Sequence, residues 1–350
     1  MQTLGSRLRS PSDSGPTVFI HNIQLTPQLD SITRASREAI LDSLAPRTLS
    51  AYFTGWDCFK SFHFSYQLPF PSTDVLSICN FITHAHSVQK IPSSTIQTYL
   101  AGIRFILKLV TGHPCSSISH SHVTMLIKGL RKREPLRAER RSPLTTDLLT
   151  LCIRTLRSGY MSPAVDLTLE SMFLLAFFGF LRCSEFAPTS SRFDPSRHPR
   201  LSDITIYNSD SLIYTLRISK TDQLGISFPI YIFRLNTYLS PFEPIARYTS
   251  SRYTANASPS QPLFITETGH MATRFWFQKH FRNILRMASI PPTQYSCHSF
   301  RIGAATSAAR LGISDQTIQV LGRWSSQAYR VYIRNNLNNL RLAHTQLGSI

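Results

Sequence analysis

Acidic residues are scarce. The 350-residue chain holds 19 Asp and Glu against 37 Lys and Arg, a formal net charge of +18. This balance favours a polyanionic partner, nucleic acid before an acidic membrane surface, with a ribosome-like or merely soluble basic protein as the bland alternative. Long apolar runs are also missing. The most apolar stretch, Met172 to Leu181, has about half the length needed to span a bilayer, so it is expected to be a buried helix. Met1 to Asp30 is rich in Ser and Pro, lacks a long apolar run, and reads as a flexible tail, not a signal peptide. The six cysteines, Cys58, Cys79, Cys115, Cys152, Cys183 and Cys297, form no C-x-x-C pair. They are expected to be reduced intracellular core thiols, neither disulfide staples nor zinc ligands. His84 and His86 lie two apart on an expected helix and cannot share a ligand face; no internal repeat is visible.

What is present is a core-sized apolar fraction, 42%. Leu49, Tyr52, Phe53, Trp56 and Phe59 recur at i, i+3, i+4, i+7 and i+10, one face of a helix that starts just after Pro46. Further helices are expected after Thr73-Asp74, after Ser93-Ser94, and over 120–130, making a helical bundle across 31–133. Arg131, Lys132, Arg133, Arg137, Arg140 and Arg141 crowd a segment bracketed by Pro135 and Pro143. Residues 134–143 therefore read as an interdomain linker, either a solvated charge run or a strap along a nucleic-acid backbone. Helices are expected at 146–158 and 163–180, where Asp166 and Glu170 read as a solvated face. The period then becomes alternating and β-branched over 204–207, 212–218 and 228–233, a three-stranded antiparallel sheet. Helices resume at about 240–249, 271–288, 299–311, 314–323 and 325–336.

The chemistry concentrates late in the chain. His298-Ser299-Phe300-Arg301-Ile302-Gly303-Ala304-Ala305 is followed by Leu321-Gly322-Arg323-Trp324-Ser325-Ser326 and by Tyr332-Ile333-Arg334. The glycine and alanines allow close helix packing. An imidazole, guanidiniums, an indole N–H and a phenol within 35 residues suit holding a phosphate and attacking it. Taken singly, Arg182 reads as a cation at a helix end, Lys220 as a solvated turn lysine, His298 as a capping histidine and Trp324 as core.

Taken in order, these segments resemble the tyrosine recombinases. His298 and Arg301 match the H-x-x-R pair, and Gly322 to Trp324 match the G-x-W segment. Gly179 to Glu185 match the G-x-L-R-x-x-E box that carries Arg182, and Lys220 in Ile218 to Asp222 matches the hairpin lysine. The wording of the boxes is most similar to eukaryotic transposon recombinases of the DIRS, Ngaro and Crypton type, although nothing in the chain resembles the reverse transcriptase that such retroelements carry. The resemblance implies a mainly α fold with a small antiparallel sheet. An N-terminal helical core-binding (SAM-like) domain would span 31–133, and an α+β catalytic domain 144–350. It implies metal-free cutting and rejoining of double-stranded DNA through a 3′-phosphotyrosine, with no cofactor and no membrane partner. A homotetramer would act on two sites, in the nucleus.

The resemblance also implies roles. Arg182 and Arg301 clamp the phosphate, Tyr332 attacks, His298 accepts the proton or donates to the phosphate, Lys220 is the general acid, and Trp324 donates its N–H. Glu185 supports Arg182 or His298, and Arg323 adds a DNA contact beside the basic cluster of Arg131 to Arg141. Tyr329, three residues before Tyr332, is expected to pack. Two other readings stay open: a type IB topoisomerase, and a domesticated DNA-binding protein that cuts nothing.

Overall fold

The computed structural model describes residues 27–135, 141–218, 227–333 and Thr345. The chain divides into two compact units, Met1–Arg137 and Ala138–Ile350.

The first unit is helical. It contains α1 (Pro27–Asp42), α2 (Pro46–Ser65), α3 (Val75–Ser87), α4 (Ser93–Thr111) and α5 (Ser121–Arg133). Helix α1 corrects the expected tail, since it starts at Pro27, inside the segment read as flexible. Local chemistry sets the other ends. Pro46 occupies the first turn of α2, where its missing N–H costs nothing. The Asp74 carboxylate accepts from Ser77 N at 2.8 Å to start α3. Gly112, at φ 73°, ends α4 in the left-handed region. Pro135 holds Glu134 at φ −68°, ψ 140°, which stops α5 at Arg133. Phe59, Phe81, Ile82, Ile96 and Ile103 form the core. Two glycines let α2 cross α4 closely: a Cβ on Gly55 would lie 2.7 Å from Tyr99 Cα, and one on Gly102 2.6 Å from Tyr52 Cα.

The second unit opens with α6 (Thr146–Arg157) and α7 (Pro163–Phe178). Then comes an antiparallel sheet of β1 (Ile204–Asn208), β2 (Ser211–Leu216) and β3 (Phe228–Phe233), in the order β1-β2-β3. Tyr214 of β2 pairs with Ile204 on one side and Ile230 on the other, and all three point into the core. Helices α8 (Phe242–Thr254), α9 (Arg274–Met287), α10 (His298–Arg310) and α11 (Asp315–Gly322) follow. The fold is mainly α with a small antiparallel sheet, as expected.

Helix α7 runs through the centre, with Leu169, Met172, Phe173, Leu174, Leu175 and Ala176 all buried. That position overturns the solvated reading of Asp166 and Glu170. Both are buried because neighbours surround α7 on every side. Asp166 accepts from the backbone of Tyr160 and Met161, each at 3.0 Å, and Glu170 pairs with Arg157 at 2.7 Å. Helix α10 packs onto the chain at Leu144, and a Cβ on Gly303 would fall 1.8 Å from Leu144 O. In the described part of the helix expected at 325–336, residues 325–333, the chain forms a short 3-10 turn, Gln327–Val331, and 334–336 lie outside the described residues. Among the described residues, no helix is long and apolar enough to cross a membrane, and no group of three His, Cys, Asp or Glu could hold a metal ion.

Candidate active site

The site is built where α7, α10 and α11 end or begin. Helix α7 stops at Phe178, and Phe180 takes a left-handed φ of 48°. The chain then makes a 3-10 turn, Cys183–Glu185, which Glu185 caps itself. Its carboxylate accepts from Arg182 N at 2.8 Å and from the Arg182 guanidinium at 2.8 Å. The same carboxylate accepts from Arg323 at 3.1 Å. Tyr214 donates its hydroxyl to Glu185 O at 2.5 Å, which ties the turn to the sheet. Glu185 thus joins three elements from a nearly solvent-free position, and its side chain orients Arg182.

His298 begins α10, and Arg301 follows three residues later on the same helix face. Arg301 is completely buried. Its guanidinium lies 4.2 Å from the centre of the Trp324 ring and 5.8 Å from that of Tyr332. The His298 ring meets the Tyr332 ring edge-on, with centroids 5.2 Å apart, and the Trp324 and Tyr332 rings lie 5.3 Å apart. Trp324 is aimed by the close of α11. Arg323 caps that helix in the left-handed region, Trp324 N donates to Gln319 O at 3.0 Å, and Gly322 leaves room for the indole. Tyr332 is held through its own carbonyl, which accepts from Thr306 Oγ1 at 3.1 Å. Four of the expected residues, His298, Arg301, Trp324 and Tyr332, therefore share one pocket, and Arg182 is close enough for its charge to act on Arg301.

Arg301 donates to Phe180 O and, at 2.5 Å, to Gly322 O. Burial and the nearby Arg182 and Arg323 charges push its pKa down to about 9, against the pull of Glu185 and Tyr332, so it stays charged at neutral pH. Three guanidiniums face the single Glu185 carboxylate. The Nε groups of Arg301 and Arg323 are buried with no acceptor among the described residues. The cluster holds positive charge and donor capacity beyond what the protein uses, which favours an anion.

Some expectations fare differently. Arg323 faces inward beside Trp324: its side chain is 9% exposed and donates to Gly179 O, Phe180 O and Glu185. Its position at a helix end, opposite a buried carboxylate from a distant segment, explains this. Tyr329 is buried, with its hydroxyl bonded to Asp315 and Arg330 outside the pocket. Arg131, Lys132 and Arg133 are exposed on the last turn of α5, and Arg141 is exposed while donating to Thr293 O at 2.6 Å. Lys220, Arg137, Arg140 and Arg334 lie outside the described residues. Missed from the sequence were Tyr214, as the support of Glu185, and Arg217, which clamps Asp203 at 3.0 Å at the end of β2. The only trace of Tyr214 in the sequence was its inward position in an alternating strand.

No protein-family model matches the sequence, and no curated protein matches it. Solved structures do. The XerH site-specific recombinase, bound to its palindromic difH substrate after cleavage, aligns at a TM-score of 0.60 with 14% identity over 85% of this chain and 78% of its own. A lambda integrase dimer on a core site aligns at 0.53 with 15% identity, covering 88% of this chain and 96% of that one. The Tn1549 transposon integrase with transposon right-end DNA aligns at 0.51 with 12% identity, covering 87% and 99%. This likeness establishes the fold: the chain is folded like these recombinase and integrase structures.

Proposed function

We propose that the protein is a site-specific DNA recombinase or integrase of a mobile element that cuts and rejoins DNA through Tyr332. The observation that carries this reading is the Arg301, His298, Trp324 and Tyr332 cluster beside the Arg182–Glu185 pair. The phenol oxygen of Tyr332 attacks the phosphorus, forming a 3′-phosphotyrosine and breaking the bond to the 5′-oxygen. His298 takes the phenol proton or donates to the phosphate. Lys220 protonates the departing 5′-oxygen. Arg182 and Arg301 neutralise charge that grows on the non-bridging oxygens, where magnesium serves other enzymes. Trp324 adds its N–H, a donor only.

Arg301 must turn from Phe180 O and Gly322 O toward the phosphate, and its unsatisfied Nε supports a site awaiting an anion. Arg131, Lys132, Arg133, Arg137, Arg140 and Arg141 contact the DNA backbone, so binding weakens steeply with salt. The helical first unit serves as a core-binding domain, four subunits act on two DNA sites, and the protein works in the nucleus. The wording of the motifs favours an element of the DIRS, Ngaro or Crypton type.

The test begins with duplexes selected from a random pool by binding to the full chain. These are remade with a nick that traps cleavage and resolved on denaturing gels. A covalent protein–DNA adduct is expected with the wild type and with Tyr329→Phe, and none with Tyr332→Phe. The enclosed Arg301 gives specific weight to one other reading, a DNA-binding protein that no longer cuts. Tight, salt-sensitive binding with no adduct on any selected duplex would establish that reading instead.

A further inference from the structure

Thr306 is completely buried on α10, the helix that begins with His298 and carries Arg301. Its neighbours pin that part of the helix. Gly303 sits against the Leu144 backbone, and Ser307 Oγ accepts from Thr146 N at 3.2 Å. A side chain at this place is a fixed point. From it the Thr306 hydroxyl donates to Tyr332 O at 3.1 Å. Tyr332 is also tied at its other end, because its N–H donates to the carbonyl of the buried Tyr329 at 2.8 Å. Without Thr306 the tyrosine would hang from a five-residue 3-10 turn, whose hydrogen-bond geometry is poor.

We propose that Thr306 is a positioning residue for Tyr332, fixing the tyrosine's carbonyl to the helix that carries His298 and Arg301 and so setting where the phenol stands. The inference rests on the reading of Tyr332 as the nucleophile. Eight residues separate Thr306 from His298, about 12 Å of helix. Tyr332 lies along this length. Its carbonyl is held at Thr306, and its ring stands edge-on to His298 with centroids 5.2 Å apart. The Trp324 ring, at 5.3 Å, and the Arg301 guanidinium, at 5.8 Å, bound the ring from other elements of the pocket.

The two kinds of contact act differently. Ring contacts are soft and let an aromatic side chain slide or tilt. A hydrogen bond to the backbone fixes both a distance and a direction. In-line attack needs the reacting atoms about 3–3.5 Å apart with their orbitals aligned, so freedom at the Tyr332 backbone lowers the rate. Thr306 meets the tyrosine through its backbone carbonyl, at the end away from the phenol, and therefore acts through Tyr332. One helix then places three groups relative to one another: the imidazole, the guanidinium and the phenol.

The test compares Thr306→Val, which keeps the shape and removes the donor, with Thr306→Ser, which keeps the hydroxyl. On the nicked duplexes at saturating concentration, Thr306→Val should form the covalent adduct about tenfold more slowly than the wild type, the loss of one hydrogen bond. Its affinity for the same duplex should be unchanged, and Thr306→Ser should restore most of the rate. A second readout needs no DNA. With 3-fluorotyrosine in place of tyrosine, the fluorine line that disappears in Tyr332→Phe should shift and broaden in Thr306→Val and hold its place in Thr306→Ser. Thr306→Val cutting at the wild-type rate, or Thr306→Ser as slow as Thr306→Val, overturns the proposal while the wild-type adduct leaves strand cleavage standing. A change spread over all the tyrosine lines also overturns it, because Thr306 would then support the whole unit and not Tyr332. If the wild type forms no adduct, a Tyr332 line that still depends on the hydroxyl supports the tether and counts against strand cleavage, and a line that does not overturns both.

Discussion

The two units solve different problems with their interiors. Among the described residues of the first, the buried polar side chains are His63, Ser77 and Ser93, and none carries a fixed charge. His63 shows how such groups are kept quiet. One ring nitrogen meets Phe59 O at 2.9 Å and the other meets Ser77 Oγ at 3.2 Å, with aromatic rings around them. The second unit buries Asp166, Glu170, Glu185, Asp203, Arg252 and Arg301. A charge taken out of water costs several kcal/mol unless partners compensate it. The first unit therefore keeps fixed charge out of its interior, and the second holds several charges inside it. The contrast also marks where stability is spent, because Arg301, completely buried and with an unpartnered Nε, sits in the pocket itself.

The sharpest way to break this comparison is Glu185→Ala. It strands Arg182 and Arg323, so denaturant titration should show a loss of about 3–5 kcal/mol, together with loss of the DNA adduct. The counterpart in the first unit, Ser77→Ala, removes one partner of His63 and should cost about 1 kcal/mol. Equal losses would mean that the buried charges are not special.

Next in size is Gly303→Ala. Its Cβ would meet the Leu144 backbone, which cannot swing aside as a side chain can, so a destabilisation near the upper end of about 1–3 kcal/mol is expected from thermal unfolding.

A smaller effect concerns acid. His280 is buried, with Nδ1 2.8 Å from the Tyr160 hydroxyl and Nε2 without a partner among the described residues. Burial, aided by Lys279, holds its imidazole below the usual histidine range, against the attraction of Glu267 and Asp166. A depressed folded value means that the unfolded chain binds the proton more readily. The stability this contributes is present above the unfolded value of about 6.5 and is lost as pH falls through the folded one. Denaturation midpoints followed by Trp276, whose ring lies 4.5 Å from His280, should therefore drop between pH 7.5 and 5. His280→Gln should flatten that slope, with His198, which burial also holds low, accounting for part of what remains.

The smallest expected change is a gain. Gly129 lies within α5 with open space where a Cβ would go, so Gly129→Ala should raise stability by about 0.5–1 kcal/mol in thermal melts.

Most element boundaries were legible because they are local. Asp74, Pro46 and the Glu134-Pro135 step act through their own backbones, and the alternation in 228–233 needs no distant partner to be read. The motif residues were legible too, as types in an order. What failed was the fate of particular charges. Asp166 and Glu170 looked solvated at i and i+4, because exposure was judged from neighbours in the chain.

The sequence by itself determined most of the helix and strand content and the excess of positive charge, since these follow from short-range sterics, hydrogen bonding and composition. Only the tertiary structure decided that Arg301 lies under Trp324 and that Arg323 turns inward to Glu185. Burial and electrostatic partnership depend on which distant segments pack together, and no local pattern encodes that.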